Sequence, residues 1–396
     1  MPPPAESLVH AHPELLPDDR ETCPLFLVTD VNCANRPSPP RRSFGRAGHR
    51  GVIIRLFVWL AWWRRAASAL FGRRKTIYVG DRIDEYRGLW SSAAEAIGAD
   101  FTPLANDIWE VRSGDRRTRI SNDLVQFDDP VILDLAGDKS FCYDLARGLG
   151  VPTPEPQTFG RGELGRVLRQ LSLDRGPYVV KPAKGTGSGV GVSVDVRSRF
   201  DLANALALAS VHSRRVIVER LVAAETVRLL FLDGAMIHAV RRTGVRVDGE
   251  GSATIGELLG RSQPQPIAVD RFVRETLAQQ GRSLDDVLPA GASAVVRWLP
   301  ADIDSSRERR TIYDEDVTHL VAPALVSEVA PLMAALGSRF AGVDLLTNDP
   351  SRTLAESGGV FLEINTTPGM HHHCPIGERC TVAETVLGRL LGREGS

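Results

Sequence analysis

The chain has 396 residues, more than one core usually holds, so two or three lobes are expected. It is 43% hydrophobic and 24% charged, and its 48 Lys+Arg nearly cancel its 49 Asp+Glu. That balance excludes a nucleic-acid binder working through bulk charge, although a local anionic ligand is compatible with it.

Residues 1–50 are rich in Pro, Arg, Gly and Ser and read as a disordered extension. Pro2, Pro3 and Pro4 open the chain with no apolar run behind them, so no secretory signal is expected. Residues 51–72 read as an amphipathic helix. Its apolar core, 56–63, is far shorter than the roughly 20 residues of a membrane span, and Arg55, Arg64 and Arg65 interrupt it. Trp59, Trp62 and Trp63 beside arginines suit 52–71 to peripheral contact with a membrane surface. Packing on the next domain or on a partner subunit, including a homodimer, is the equal alternative. Cys23, Cys33, Cys142, Cys374 and Cys380 are odd in number and form no C-x-x-C pair. Reduced thiols in a cytoplasmic protein, with or without membrane association, are therefore expected rather than a disulfide framework.

Residues 73–137 read as an N-terminal domain, with strands at 76–80, 108–111 and 131–135 and a helix at 89–97. From 138 the pattern belongs to a larger domain reaching 396, with a central lobe at about 160–222 and a C-terminal lobe at 223–396. Asp138 caps a helix through 149. Strands at 178–181 and 190–196 flank a glycine loop, and a helix at 200–211 leads to a strand at 216–219. Asp233-Gly234 marks a hairpin between strands 226–232 and 235–240. Helices at 254–260, 269–280 and 320–336 precede closing strands at 342–346 and 360–364. Mixed strands and helices in this order give an α/β or α+β enzyme of several lobes.

Two segments carry chemistry. Lys181 ends a strand and is followed by Lys184, Gly185, Gly187, Ser188 and Gly189. Alternate glycines let backbone N–H groups close over phosphate oxygens, and the lysine adds a fixed cation. The loop joins two strands instead of opening a helix, so it is neither a Rossmann fingerprint nor a Walker loop but a flap over a nucleotide. Asp344, Glu363 and Asn365 lie on two later strands. With a side-chain period of two, Glu363 and Asn365 share a face while Leu362 and Ile364 point to the core. Two carboxylates and an amide oxygen suit Mg²⁺. A solvated polar face on an edge strand is the plain alternative.

Lys139 in Asp-Lys-Ser, Lys181 in Val-Val-Lys-Pro, the glycine flap, Val218-Glu219-Arg220 and the Asp344…Glu363-x-Asn365 set together resemble the ATP-grasp superfamily over roughly 130–390. The resemblance implies the ATP-grasp fold of three lobes, with Lys139 and Lys181 on the phosphates of ATP. It implies that Glu219, Arg220, Leu221 and Val222 frame adenine, that Glu225 holds ribose, and that Asp344, Glu363 and Asn365 bind two Mg²⁺ ions, with Mn²⁺ as a substitute. Glu225-Thr-Val-Arg228, Arg241-Arg242 and Pro368-Gly369-Met-His371-His372-His373-Cys374 are similar to the ATP-grasp portions of cyanophycin synthetase and of the fused bifunctional glutathione synthetase. The chain lacks the further halves of those enzymes. D-alanine–D-alanine ligases carry an arginine two residues before the metal aspartate, where Gly342 stands here, so that specific activity is not implied.

Arg228, Arg242 and Arg297 are candidates to hold the γ-phosphate and a developing acyl phosphate, since a guanidinium fork matches such oxygens. His371, His372 and His373 lack the spacing of a helical metal pair and are expected to line an acceptor pocket, with Cys374 as a wall thiol. The expected activity is a carboxylate–amine ligase using an amino acid or short peptide, ATP and Mg²⁺. A kinase acting on a hydroxyl, or a membrane-docked nucleotide-binding regulator, would share the same nucleotide site. The intact acid set argues against the regulator, and the Thr366-Thr-Pro-Gly369 turn favours the ligase over the kinase.

Overall fold

The computed structural model describes residues 79–393, except 106, 187–188, 243, 263–266, 268, 270, 298–313 and 375–378. The extension at 1–50, the Trp/Arg segment at 51–72 and most of the strand expected at 76–80 therefore lie outside the described residues. Among the described residues no helix is long and apolar enough to cross a membrane.

The first layer is helix α1 (Val79–Ala96) over the antiparallel strands β1 (Asp100–Ala105), β2 (Ile108–Ser113) and β3 (Arg116–Ile120). Val79 and Gly80 are helical, which corrects the strand expected there, and the helix expected at 89–97 is the second half of α1. Helices α2 (Pro130–Ala136) and α3 (Lys139–Gly148) follow. The strand expected at 131–135 is thus a helix. Asp129 caps it by accepting from the N–H groups of Val131 and Ile132, and Pro130 fills the first turn where no N–H is needed. Asp138 caps α3 in the same way, as the sequence indicates.

Strand β4 (Gln157–Gly160), helix α4 (Leu164–Gln170), strands β5 (Tyr178–Pro182) and β6 (Ser193–Val196), helix α5 (Arg199–His212) and strand β7 (Arg215–Arg220) build an antiparallel sheet of order β4-β7-β5-β6. Its apolar face packs Val180, Val196, Val216 and Val218 on Leu202, Leu206 and Leu164 of the two helices. Strands β8 (Thr226–Leu232) and β9 (Ala235–Arg242) form the expected hairpin, where Asp233 and Gly234 take φ values of 49° and 81°. Strand β10 (Val245–Asp248), helices α6 (Ile255–Arg261) and α7 (Arg271–Gln279) and strand β11 (Ser293–Arg297) make a small module around Val247, Leu259, Leu277 and Val296.

Strand β12 (Asp314–Asp316), helices α8 (Pro323–Val329) and α9 (Pro331–Leu336), strand β13 (Phe340–Leu346), the short helix α10 (Leu354–Ser357), strand β14 (Val360–Thr366) and helix α11 (Thr381–Leu390) complete the chain. The single helix expected at 320–336 is two helices meeting at Ala330, because Pro331 has no N–H to continue the ladder. The second main sheet has the order β12-β9-β8-β13-β14 and is antiparallel throughout. It is buried on both faces. Val227, Leu229 and Phe231 of β8 face α3, α8 and α9, while Leu230 and Leu232 face α1 and α11. Arg228 shares the side of Leu230 by the two-residue period. A bulge at Asp344/Leu345 puts Phe361 and Ile364 into the core and leaves Leu362 half-buried, which corrects the inward role expected of Leu362.

Candidate functional site

Strand register brings three charges into one row. Asp344 on β13 lies opposite Arg228 on β8 and opposite Glu363 on β14. The Arg228 Nε and Nη2 donate to the two Asp344 oxygens at 2.6 and 2.8 Å, and both residues are buried. Gly342, in the next row, makes this geometry feasible: a Cβ there would lie 3.0 Å from the Arg228 Cδ. Asn365 is opposite Gly342, so Asp344, Glu363 and Asn365 do share one face of two adjacent strands.

The lysines approach from the other sheet and from α3. Lys139, at the first position of α3, places its Nζ 3.1 Å from the Glu363 Oε2, and its backbone N–H donates to the Ala183 carbonyl at 2.9 Å. Glu363 holds the Lys139 ammonium above its usual range. Burial pushes the Glu363 carboxyl up, but Lys139, Lys181 and Arg228 together hold it below the usual carboxylate range. Lys181 is 4% exposed; its Nζ lies 2.7 Å from the Glu219 Oε1 and donates to the Tyr143 hydroxyl at 2.8 Å, which in turn donates to the Glu219 Oε2 at 2.8 Å. Burial and Glu219 push the Tyr143 phenol well above its ordinary value, so it remains a hydrogen-bond donor.

The flap is described at Lys184, Gly185 and Gly189; Gly187 and Ser188 lie outside the described residues. Lys184 pairs with Asp134 at 2.6 Å in a half-exposed contact. Gly191 has φ +77°, and a Cβ there would meet Pro182 and His212 at 2.8 Å, so the returning strand can pass only as glycine.

The segment expected to frame adenine begins at the end of β7. The Glu219 side chain faces Lys181, while the N–H groups of Arg220 and Leu221 donate to the Pro154 and Pro177 carbonyls. Val222 accepts from the N–H of Ala224. The Glu225 carboxylate accepts from Arg246 at 3.0 Å and lies 3.4 Å from the Arg241 Nε. Arg242 is buried at the end of β9 opposite Asp314, and Arg297 ends β11 opposite Val245, three residues beyond Arg242.

The three histidines diverge. Met370–His372 is a single 3₁₀ turn, with the His371 Nδ1 3.0 Å from the Tyr86 hydroxyl. His372 and His373 are buried, and the His373 Nδ1 lies 2.9 Å from the Nδ1 of His238. Cys374 is no wall thiol: it is bonded to Cys380, with Cα atoms 5.2 Å apart, which corrects the expectation of reduced cysteines here. Cys380 caps α11 through an Ala383 N–H, and this turn brings the two sulfurs together. Cys142 is a free buried thiol pushed up to about 12 by burial, so it is no nucleophile.

Tyr143, Tyr86, His238 and Asp134 were not singled out from sequence. Tyr143 alone carried a signal, since it follows Lys139 by four residues on one helix face. Among the described residues no group of three His, Cys, Asp or Glu could hold a metal, and the oxygen set expected from sequence is two carboxylates and the Asn365 amide.

Residues 147–250 match the family model described as D-ala D-ala ligase C-terminus. Cyanophycin synthetase of Synechocystis sp. is 30% identical over 257 residues, covering 61% of this chain and 28% of that protein. The glutathione biosynthesis bifunctional protein of Streptococcus thermophilus is 26% identical over 282 residues, covering 66% of this chain and 36% of that protein. The chain thus matches only about a third or less of the length of these curated relatives. In structure it is similar to a bifunctional glutathione synthetase from Pasteurella multocida, at a TM-score of 0.50 and 20% identity over 77% of this chain and 44% of that one.

Proposed function

We propose that the chain is an ATP-dependent carboxylate–amine ligase of the ATP-grasp superfamily, forming an amide or peptide bond through an acyl phosphate; its similarity to the D-ala D-ala ligase C-terminus model, to cyanophycin synthetase and to the bifunctional glutathione protein supports this. The observation that carries this reading is the convergence of Lys139, Lys181, Arg228 and Asp344 on Glu363. Three cations and two carboxylates in a largely buried site suit the binding of phosphates and cations, and they offer no paired nucleophile and base for hydrolysis.

The donor set of Asp344, Glu363 and Asn365 is made of hard oxygens and fits Mg²⁺, with two ions expected and Mn²⁺ as a substitute. Bound there, the metal supplies positive charge to the phosphate oxygens. A substrate carboxylate oxygen attacks the γ-phosphorus, the bond to the ADP oxygen breaks, and an acyl phosphate forms. Lys139, Lys181 and the flap N–H groups hold the phosphates, with Lys184 at the rim; Arg228, Arg242 and Arg297 face the transferring group. The acceptor amine, beside His371–His373, then attacks the acyl carbon and phosphate leaves. An amino acid or short peptide is the substrate class of this reading. Membrane contact through 52–71, a homodimer and a cytoplasmic setting belong to it on sequence grounds alone.

Hydroxylamine provides the test. The protein, ATP, Mg²⁺ and pooled amino acids as acids should yield a hydroxamate, and Lys181→Ala should abolish it. A stable phosphate ester with no hydroxamate would establish the kinase instead.

A further inference from the structure

Tyr143, on the second turn of α3, touches both main sheets. Its ring lies edge-on to Phe361 of β14, with centroids 5.9 Å apart and planes at 85°. Its hydroxyl reaches the other sheet, accepting from the Lys181 Nζ on β5 at 2.8 Å and donating to the Glu219 Oε2 on β7 at 2.8 Å. The Lys181 Nζ is itself 2.7 Å from the Glu219 Oε1, so ammonium, carboxylate and phenol close a ring of three. None of the three residues is more than 4% exposed. One turn earlier on the same helix face, Lys139 reaches Glu363 at 3.1 Å. The start of α3 is tied to the Lys181 sheet as well, through the Lys139 N–H on the Ala183 carbonyl and through the Ser140 hydroxyl, 2.9 Å from that of Thr158 on β4.

Chemistry fixes the roles in the ring. An ammonium only donates and a carboxylate only accepts, so the phenol accepts from one and donates to the other. Burial and Glu219 hold the phenol well above its ordinary value, which keeps its proton in place. Glu219 and Tyr143 engage two of the three Lys181 N–H donors, and the third can meet a phosphate oxygen without breaking either contact. Without the phenol, Lys181 has a flexible four-carbon stem and a carboxylate that can draw its ammonium aside. Against the upward push of burial, Lys139 and Lys181 both hold the Glu363 carboxyl below its usual range. The two lysines therefore act on one site, and α3 is the element that links them.

Resting on the nucleotide-binding part of the ligase reading, we propose that Tyr143 is a positioning residue for the phosphates of ATP. Its hydroxyl holds the Lys181 ammonium at a fixed place relative to Lys139 and Glu363, so that both cations meet the nucleotide together. No covalent bond changes at Tyr143; its part is to fix in advance a geometry that the nucleotide would otherwise have to impose. Ring and hydroxyl do separate work. The ring sets the packing of α3 on β14, and the hydroxyl sets the direction of Lys181. Phenylalanine at 143 keeps the first and removes the second.

Binding to the full chain, with no turnover, tests this. Tyr143→Phe should weaken ADP with Mg²⁺ about 10-fold and leave adenosine, which has no phosphate, within about twofold. In a Lys181→Ala background the same change should have no further effect on ADP, because Tyr143 acts through that lysine. A structural role would weaken adenosine and ADP alike and would persist without Lys181. Either of those results, or wild-type ADP affinity in Tyr143→Phe, overturns the proposal. The unmutated chain gives a second reading that does not depend on how a variant folds: with ¹³Cζ-labelled tyrosine, the Tyr143 signal should move on adding ADP and stay in place with adenosine. A signal that ignores both ligands, or follows both equally, also overturns it. Absence of ADP binding to the wild-type protein removes the nucleotide reading and this proposal with it, whereas ADP binding without hydroxamate removes the ligase reading only.

Discussion

In the β12-β9-β8-β13-β14 sheet, Arg228, Asp344 and Glu363 sit on consecutive strands, buried by helices on both sides. In the β4-β7-β5-β6 sheet, Lys181 is held at a strand by Glu219 and Tyr143, but the next cation, Lys184, sits on a loop and meets only the exposed Asp134. The first sheet positions charge by register, and a one-residue slip of any of these strands would put its charge on the opposite face. The second leaves part of its charge outside any strand. On the proposed ligase reading, the first arrangement suits a fixed metal and the second suits admission of a nucleotide.

The largest effect is expected where the rigid half is broken. Asp344→Ala removes the bidentate carboxylate from the buried Arg228 guanidinium, so the protein should lose about 3–5 kcal/mol of stability together with turnover. Glu363→Gln keeps the shape, and turnover should fall by at least about 10²-fold with little change in melting. Full activity in a folded Glu363→Gln protein would remove the metal assignment. In the other sheet's loop, Gly191→Ala meets Pro182 and His212 at a positive φ. It should lower stability by about 1 kcal/mol and raise the KM for ATP more than it lowers kcat. Steady-state kinetics at varied ATP will separate the two.

A smaller effect is expected from pH. His373 stays neutral in the fold and takes a proton only on unfolding. Its contribution to stability should therefore be complete above the unfolded value of about 6.5 and decline as pH falls through that value. Urea unfolding between neutral pH and pH 5 should show a decline that His373→Gln lacks. Lys184→Ala should do least, since its partner is exposed and such pairs are worth little: melting should be unchanged and KM for ATP should rise only a few-fold.

The sequence was most readable where one local signal settles an element. Asp233-Gly234 specified the hairpin, Asp138 the start of α3, and two-residue alternation put Glu363 and Asn365 on one face. The apolar run at 131–135 misled because its length suits strand or helix, and the deciding cap, Asp129-Pro130, lies just before it. His238 was invisible for a different reason. Its place beside His373 depends on the pairing of β9 with β8, including a register shift between Leu230 and Phe231, and on where the chain returns 135 residues later. The Cys374–Cys380 bond likewise joins two positions that no recognisable spacing marks.

Gly342 and Arg228 are one structural unit written on two strands. Any side chain at 342 would have to displace the guanidinium stem that fills the space beside it, and shortening Arg228 would open a gap that glycine cannot close. A Cβ at 342 would need the Arg228 stem to give by a few tenths of an ångström, so the two positions are coupled. A chain with arginine at 342 and a small residue at 228 would carry its guanidinium on β13 instead of β8. It would reach the same aspartate from the same strand, two residues away.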